Sequence, residues 1–471
     1  MLTLADIVQG LTGHRPPGLE RRPTRVSVDS REIGPGDVFV ALMGEEGDGH
    51  DYVGDALAAG AAVAVVEKPV DVDVPTVDLT KRPPTLPKAW SVPVLLEVSN
   101  SLKALQQLAA YWRRRYSPRV VGITGSVGKT TTKELTADVL SRRFVTLKSE
   151  RSYNNEIGLP LTVLRLTDEH EQVVLEMGMY DVGEIAELAE IALPHVGVVT
   201  IIGPVHLERA RTMERIVQAK TELVEALPPA PEGIAILNYD DKQVLGMREA
   251  THARILTYGL SPEADLYADE IEGLGLEGIR FRLHHAGETL HVRIPLLGRH
   301  SVHTALRASA VGLVEGLTWQ EILEGLRTPS PQLRLVAVPG PQGSTILDDT
   351  YNASPASTIA ALNLLGELEG RKIAVLGDML ELGDYEREGH EKVGLRALEV
   401  VDVLIAVGRL GRIIGESALR WGMDPERVHV EEDNTAATQL LERLVGEGDV
   451  ILVKGSRGMK MEEIVNALGK G

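Results

Sequence analysis

The stretch GITGSVGKTTTKE, residues 122–134, follows the apolar run RVV and runs into a helical pattern. A strand that feeds a glycine turn and then a helix presents successive backbone N–H groups and a helix N-terminus, and together these cradle an anion. Lys129 supplies a point charge for outer phosphates, and the Thr130 hydroxyl is placed to ligate Mg²⁺. The loop is shorter than the usual pattern G-x-x-x-x-G-K-[ST], because Ile123 stands where that pattern has its first glycine. The helix is expected to open at about Lys129 and the loop to hold a nucleoside triphosphate.

Four further features lie downstream. QVVLEMG is an apolar strand ending in Glu176, where a carboxylate can hold Mg²⁺; an acid that merely ends a strand is the plainer reading. His206 sits in GPVHLER just after the strand HVGVVTII, and a solvated loop histidine is the plainer reading there. Lys220, fourteen residues on in VQAKTEL, lies on an expected helix, where most lysines simply face water. GIAILNYDD ends a strand with Asn238, Asp240 and Asp241, where a nucleotide edge could be read.

These residues need a scaffold of alternating strands and helices. A chain of 471 residues is long enough for about three domains. Residues 69–93 hold six prolines and little periodicity, which reads as a linker, and a second break falls at RTPSPQ, 327–332. Three blocks result: 1–97, 98–328 and 329–471. The last repeats a strand–glycine–helix rhythm in KIAVLGDMLELG, VDVLIAVGRLG and DVILVKGSRGMKMEEIV, without a GxGxxG fingerprint. The fold class expected is α/β with three domains: a central P-loop parallel-sheet ATPase domain, a small α/β domain before it and a Rossmann-like domain after it.

Lys and Arg number 49 against 68 Asp and Glu, a net charge of −19 with no basic stripe, so nucleic acid is not an expected partner. Cysteine is absent, which excludes disulfides and thiolate chemistry. The N-terminal MLTLADIVQGLTG lacks a basic start and carries Asp6 in its apolar pattern, so it reads as an amphipathic helix ended by Gly10 or Gly13. No apolar run reaches membrane-spanning length. A cytoplasmic monomer without membrane insertion is expected.

The combination resembles the Mur ligases, ATP-dependent amide-forming enzymes of peptidoglycan synthesis. Their shortened loop T-G-x-x-G-K-T is matched by Thr124, Gly125, Ser126, Val127, Gly128, Lys129 and Thr130. Their strand-end glutamate, their His-Leu-acid motif and their carbamylated lysine match Glu176, His206 and Lys220. DSREIGPGDVFVALMGEEGDGHDY is similar to the UDP-sugar-recognising first domain of the family, and YNNEIGLPLTVLRL, DDTYNASPAS, LGDMLELG and LVKGSRGMKMEEIV extend the resemblance across nearly the whole chain. One departure stands out: where the family has Gly-x-His-Asn-x-x-Asn, this chain has GRHSVHT, with Ser301 and Thr304 in place of the asparagines. A hydroxyl does not reproduce the paired donor and acceptor of an amide.

The resemblance implies ATP and two Mg²⁺ as cofactors, with UDP-N-acetylmuramoyl-tripeptide and D-alanyl-D-alanine joined through an acyl phosphate. It implies phosphate contacts from 124–130, one metal on Thr130 and Glu176, and a second on His206 and a carbamate on Lys220. Thr304, Asp349 and Asn352 are then expected on the nucleotide. Ser30, Arg31, Asp48, Gly49 and His50 are expected at the UDP end, where Arg31 could instead just close a surface turn. Asn154 and Asn155 are expected on the muramoyl portion, and Lys454, Ser456 and Arg457 on the dipeptide. Two other readings remain: a sister ligase adding a different amino acid, and a regulatory P-loop protein. The absence of an Asn-Lys-x-Asp guanine motif weakens the GTPase form of the latter.

Overall fold

The computed structural model describes residues 2–17, 25–44, 47–81, 84–87, 89–150, 153–204, 208, 211–327 and 336–469. Three sheets follow one another along the chain. The first holds β1 (Val26–Ser27), β2 (Val38–Val40), β3 (Val63–Val66), β4 (Thr76–Asp78) and β5 (Val94–Glu97), all parallel, in the order β1-β2-β3-β5-β4. The expected helix at the N-terminus is present as Leu4–Thr12. Its start is closed by a reciprocal Thr3–Asp6 capping box, and its end by Gly13 at φ 78°.

The proline-rich stretch is not a plain linker, because β4 lies inside it. Pro75 precedes the strand, and its carbonyl still accepts from Leu95 N at 2.9 Å. The strand takes the sheet edge, the one place where neighbouring prolines do not break a ladder on both sides. Val77, buried against the core, is the signal that six prolines obscured.

The middle sheet has nine strands: β6 (Arg119–Thr124), β7 (Thr146–Lys148), β8 (Gln172–Glu176), β9 (Val196–Val199), β10 (Ile234–Asn238), β11 (Arg254–Gly259), β12 (Leu266–Gly273), β13 (Ile279–His285) and β14 (Glu288–Ile294). Their order is β14-β13-β12-β11-β10-β9-β6-β8-β7, parallel as far as β12 and antiparallel across β12-β13-β14. The expected parallel sheet is present from β7 to β12, and an antiparallel hairpin extends it. β13 alternates buried and solvated positions, the period-2 mark of a strand packed on one face only. β6 has β8 on one side and β9 on the other, so chain order reverses at its C-terminal end. Ligands of open α/β sheets bind at such a reversal.

The third sheet, in the order β15-β16-β20-β17-β18-β19, contains β15 (Val336–Pro339), β16 (Thr345–Asp348), β17 (Lys372–Leu376), β18 (Val403–Val407), β19 (Val428–Glu431) and β20 (Val450–Lys454). Only the edge pair β15–β16 is antiparallel. The three expected strand–glycine–helix turns are those after β17, β18 and β20. This is a three-domain α/β protein. Among the described residues no helix is long and apolar enough to cross a membrane.

Helix Ser101–Arg113 joins the first two sheets in one core. Leu105, Leu108 and Trp112 pack with residues of both, and the Trp112 indole N–H donates to Leu166 O at 3.0 Å. On the opposite face of the middle sheet, helix Lys129–Leu140 is held by Ser301–Val314 and Trp319–Arg327. The contact with Trp319–Arg327 is close: a Cβ on Gly325 would stand 2.5 Å from Val139 Cα. Alanine gains about 1 kcal/mol over glycine in a free helix, whereas overpacking a core costs about 1–3 kcal/mol. The clash is with backbone and should win. Gly325→Ala is expected to lower the thermal midpoint by a few degrees; a raised midpoint in a melting experiment would mean that the two helices separate at no cost.

Candidate functional site at the phosphate loop

Gly125 has φ +143° and Gly128 has φ +84°, and Gly128 caps helix Lys129–Leu140, so the helix starts where the sequence places it. The loop is tied down by the ends of the strands beside β6. Thr124 Oγ1 donates to Met177 O at 2.9 Å, and Thr200 Oγ1 donates to Val127 O at 2.7 Å. Ser126 N donates to Ile201 O at 2.7 Å, while its hydroxyl exchanges hydrogen bonds with Gly203 at 2.9 Å.

Two lysine amino groups converge on one loop carbonyl. Lys129 Nζ donates to Gly125 O at 2.8 Å, and Lys220 Nζ donates to the same oxygen at 3.1 Å from helix Met213–Glu225. Lys220 is 1 % exposed, the reverse of a solvent-facing helix lysine. Burial, and then the neighbouring Lys129 charge, hold its pKa well below the usual 10.5. Burial also lowers Lys129, against a smaller upward pull from Glu176.

Glu176 closes the other side of the loop. Its Oε2 accepts from Thr130 Oγ1 at 2.8 Å, and its Oε1 accepts from Asn154 Nδ2 at 2.8 Å. A hydroxyl and a carboxylate side by side are hard oxygen donors of the kind Mg²⁺ takes, and this ion draws most of its remaining ligands from phosphates and water. The donor set therefore fits one Mg²⁺. Among the described residues no group of three His, Cys, Asp or Glu stands ready for a metal. His206 lies outside the described residues.

A cavity of about 1400 Å³ opens between the middle and third sheets. It gathers Ser126 to Thr130, Asn154, Asn155, Glu176, Thr304, Asp349, Asn352, Lys454, Ser456 and Arg457. Several of these are already engaged. Lys454, 2 % exposed, donates to Asp349 Oδ2 at 2.7 Å and to Asn352 O at 2.8 Å, so it shapes the Asp349 loop. Ser456 Oγ accepts from Leu380 N, and Arg457 lies over Tyr351 while pairing with Glu462. Asn155 Oδ1 accepts from Gly158 N at 2.9 Å and so steadies the start of helix Gly158–Val163. Ser301 Oγ donates to Leu297 O at 2.6 Å, and Thr304 Oγ1 accepts from Arg307. Asn238 lines the cavity, but its amide bonds Thr200 O and Asp240 N; Asp240 meets His303, and Asp241 caps helix Lys242–Gly246.

Ser30, Arg31, Asp48, Gly49 and His50 do not line this cavity. Arg31 places its fork on Asp29, 2.9 and 2.7 Å, and closes its own exposed turn. His50 is buried; its Nε2 accepts from Glu67 N at 3.0 Å, which leaves Nδ1 as the donor to Asp48 at 2.6 Å. Lys68, together with His50, holds the Asp48 carboxyl well below the usual carboxylate range. A Cβ on Gly49 would meet Leu42 O at 2.7 Å, so this turn admits only glycine without movement.

Three family descriptions match the chain in order: "Mur ligase family, catalytic domain" over residues 23–113, "Mur ligase middle domain" over 123–312, and "Mur ligase, glutamate ligase domain" over 333–457. A curated relative from Bacillus subtilis is 35% identical over 94% of this chain and 92% of its own length. The chain belongs to the Mur ligase family. That relative is named UDP-N-acetylmuramoyl-tripeptide--D-alanyl-D-alanine ligase. Among solved structures, MurF from Acinetobacter baumannii superposes with a TM-score of 0.85 at 31% identity, covering 99% of this chain and 98% of that one. MurF ligase from Thermotoga maritima, in complex with ADP, gives 0.77 at 28% identity over 95% and 97%.

As a Mur ligase the chain keeps the short loop with its strand-end glutamate, and it adds a residue that sequence reasoning passed over. Arg307 lines the cavity from within helix Ser301–Val314 at 5 % exposure. Its signal is the spacing Ser301, Thr304, Arg307, one helix face in steps of three.

Lys220 gives a pH-dependent test. The unfolded lysine binds a proton below 10.5, whereas the buried one gives it up at lower pH. Protonation thus favours unfolding between the depressed folded value and 10.5, and stability rises with pH across that window. Lys220→Met removes this penalty. In CO₂-free buffer the variant is expected to melt above the parent at about pH 7, with the gain shrinking as pH approaches 10.5. A variant that melts below the parent at every pH would show that the buried amine is not a source of strain.

Proposed function

We propose that this Mur ligase joins D-alanyl-D-alanine to UDP-N-acetylmuramoyl-tripeptide, converting ATP to ADP and phosphate. One observation carries the proposal: the hydrogen-bonded line Thr130–Glu176–Asn154 at a phosphate loop, inside a cavity shared with Asp349 and Asn352 of the third sheet. Near-full-length relatives bearing that ligase name support the substrates, and an ADP complex of a neighbour supports the nucleotide.

A carboxylate is a poor acylating agent. Transfer of the γ-phosphoryl group makes an acyl phosphate, and the dipeptide amine then displaces phosphate through a tetrahedral intermediate. Such transfer depends on positioning and charge neutralisation more than on covalent help from the protein. Backbone groups of 124–130 and the Lys129 ammonium hold the phosphates. Thr130 and Glu176 would hold Mg²⁺, which would lower the repulsion between carboxylate and triphosphate. Asn154 fixes Glu176, and with Asn155 it faces the muramoyl end. Asp349 takes the ribose hydroxyls, kept in place by Lys454. In this reading 98–328 carries the nucleotide, 329–471 closes over it and presents Ser456 and Arg457 to the dipeptide, and 1–97 receives the UDP end.

Lys220 is a candidate for carbamylation. Addition of CO₂ needs a neutral amine, and the burial that depresses Lys220 favours that form. The carbamate, formed with release of one proton, would put anionic oxygens behind the loop, which together with His206 would suit a second Mg²⁺.

The direct test is phosphate release from ATP with UDP-N-acetylmuramoyl-tripeptide, with and without D-alanyl-D-alanine. Release is expected only with both, and hydrolysis indifferent to either would favour a regulatory ATPase. Testing meso-diaminopimelate and D-Ala-D-Ser as acceptors separates a sister ligase. Lys129→Ala should fold normally and lose roughly 10²–10³ in rate; near-normal turnover would remove the loop lysine from the reaction. Lys220→Arg keeps the bare charge but cannot take up CO₂, so it is expected to be nearly inactive, and the parent should slow in CO₂-depleted buffer. Full activity of Lys220→Arg would end the carbamate proposal.

A further inference from the structure

Arg307 is a buried cation without a counter-charge. Its Nε donates to Thr132 Oγ1 at 2.8 Å, Nη2 to Thr304 Oγ1 at 2.9 Å and Nη1 to Tyr258 OH at 3.4 Å. Among the described residues these hydroxyls are its hydrogen-bond partners and it forms no ion pair. Taking an isolated charge out of water costs several kcal/mol even after relaxation, and neutral hydroxyls offset only part of that.

Two of the three hydroxyls have other partners in their own right. Thr132 Oγ1 donates to Gly128 O at 2.6 Å, and Tyr258 OH donates to Thr200 O at 2.8 Å. A guanidinium carries five N–H donors; with three of them used, one remains on each terminal nitrogen. Nη2 faces the loop: it lies 3.2 Å from where a Cβ on Gly128 would sit, at the cap of the phosphate-loop helix. Arg307 lines the cavity together with Ser126 to Thr130 of that loop.

We propose that Arg307 is a nucleotide-binding residue whose two unused N–H groups engage a phosphate oxygen of the nucleotide seated on the loop. The proposal rests on the reading that this loop holds a nucleoside di- or triphosphate. It explains why the protein keeps a guanidinium where an apolar residue of similar volume would bury more cheaply: the counter-charge arrives with the ligand. Arg suits this place better than Lys, since its planar fork can hold Thr132 and Thr304 while still presenting donors to phosphate.

The test compares ADP, titrated by calorimetry, with adenosine, titrated by ligand-observed NMR, on the full-length parent, Arg307→Met and Arg307→Lys. Loss of a hydrogen-bonded charge pair predicts that Arg307→Met weakens ADP roughly 10- to 100-fold, with adenosine unchanged. The nucleotide-free variant should melt no lower than the parent. Arg307→Lys should weaken ADP less, again with adenosine unchanged, and it decides the matter should the methionine variant fail to fold. Unchanged ADP affinity in either variant, or equal losses for ADP and adenosine, would overturn the proposal and leave Arg307 as a packing residue. A parent that binds no ADP would instead overturn the nucleotide reading of the loop itself, and this proposal with it.

Discussion

The architecture turns on the space at Gly125. A Cβ there would stand 1.8 Å from Thr200 Oγ1, the hydroxyl that ties β9 to the loop through Val127 O. With no side chain, the loop can pass against the end of β9 and turn into helix Lys129–Leu140. The same residue supplies the carbonyl on which Lys129 and Lys220 meet. One missing side chain thus fixes the loop's path, the origin of the helix and the place where positive charge collects. The nine-stranded sheet serves this point: β8 brings Glu176 to one side of the loop, and β9 brings Thr200 to the other.

Charge beside the phosphate loop runs against charge in the chain. The sequence carries −19 overall, yet Lys129 and Arg307 stand at the loop beside the buried Lys220 amine, and Glu176, the acid that faces Lys129, is already shared by Thr130 and Asn154. Farther across the cavity Lys454 is balanced by Asp349. The cations are therefore placed where phosphates would sit although acids outnumber them around the cavity as a whole, and local arrangement outweighs bulk composition in deciding which ligand is received.

Much of this was legible in the sequence because it is local. A glycine loop between an apolar strand and a helix fixes its own geometry, so the helix start at Lys129 and the strand end at Glu176 could be read directly. Burial was not legible. Nothing near Lys220 distinguishes it from a solvated helix lysine, because its partner, Gly125 O, is 95 residues away in the chain. The Lys454–Asp349 pair spans 105 residues, so the support that Lys454 gives to the Asp349 loop was not legible either. β4 was hidden because prolines read as linker until the strand is known to occupy a sheet edge. Arg307 was passed over because a helix arginine draws attention only once both its burial and its lack of a carboxylate are seen.

The first sheet carries its functional candidates in a different state from the loop. Asp48, His50 and Lys68 satisfy one another, and Arg31 satisfies Asp29, before any ligand arrives. Around the phosphate loop the opposite holds: among the described residues Lys129 and Arg307 rest on carbonyls and hydroxyls and form no ion pair. Anything that binds the folded chain and not the unfolded one stabilises it, and the effect is largest where the folded state carries an unmet electrostatic demand. A polyanion at the loop meets such a demand, whereas a ligand at the first sheet must compete with pairs already formed. Nucleotide binding should therefore be the step that couples most strongly to the stability of the middle sheet and its helices.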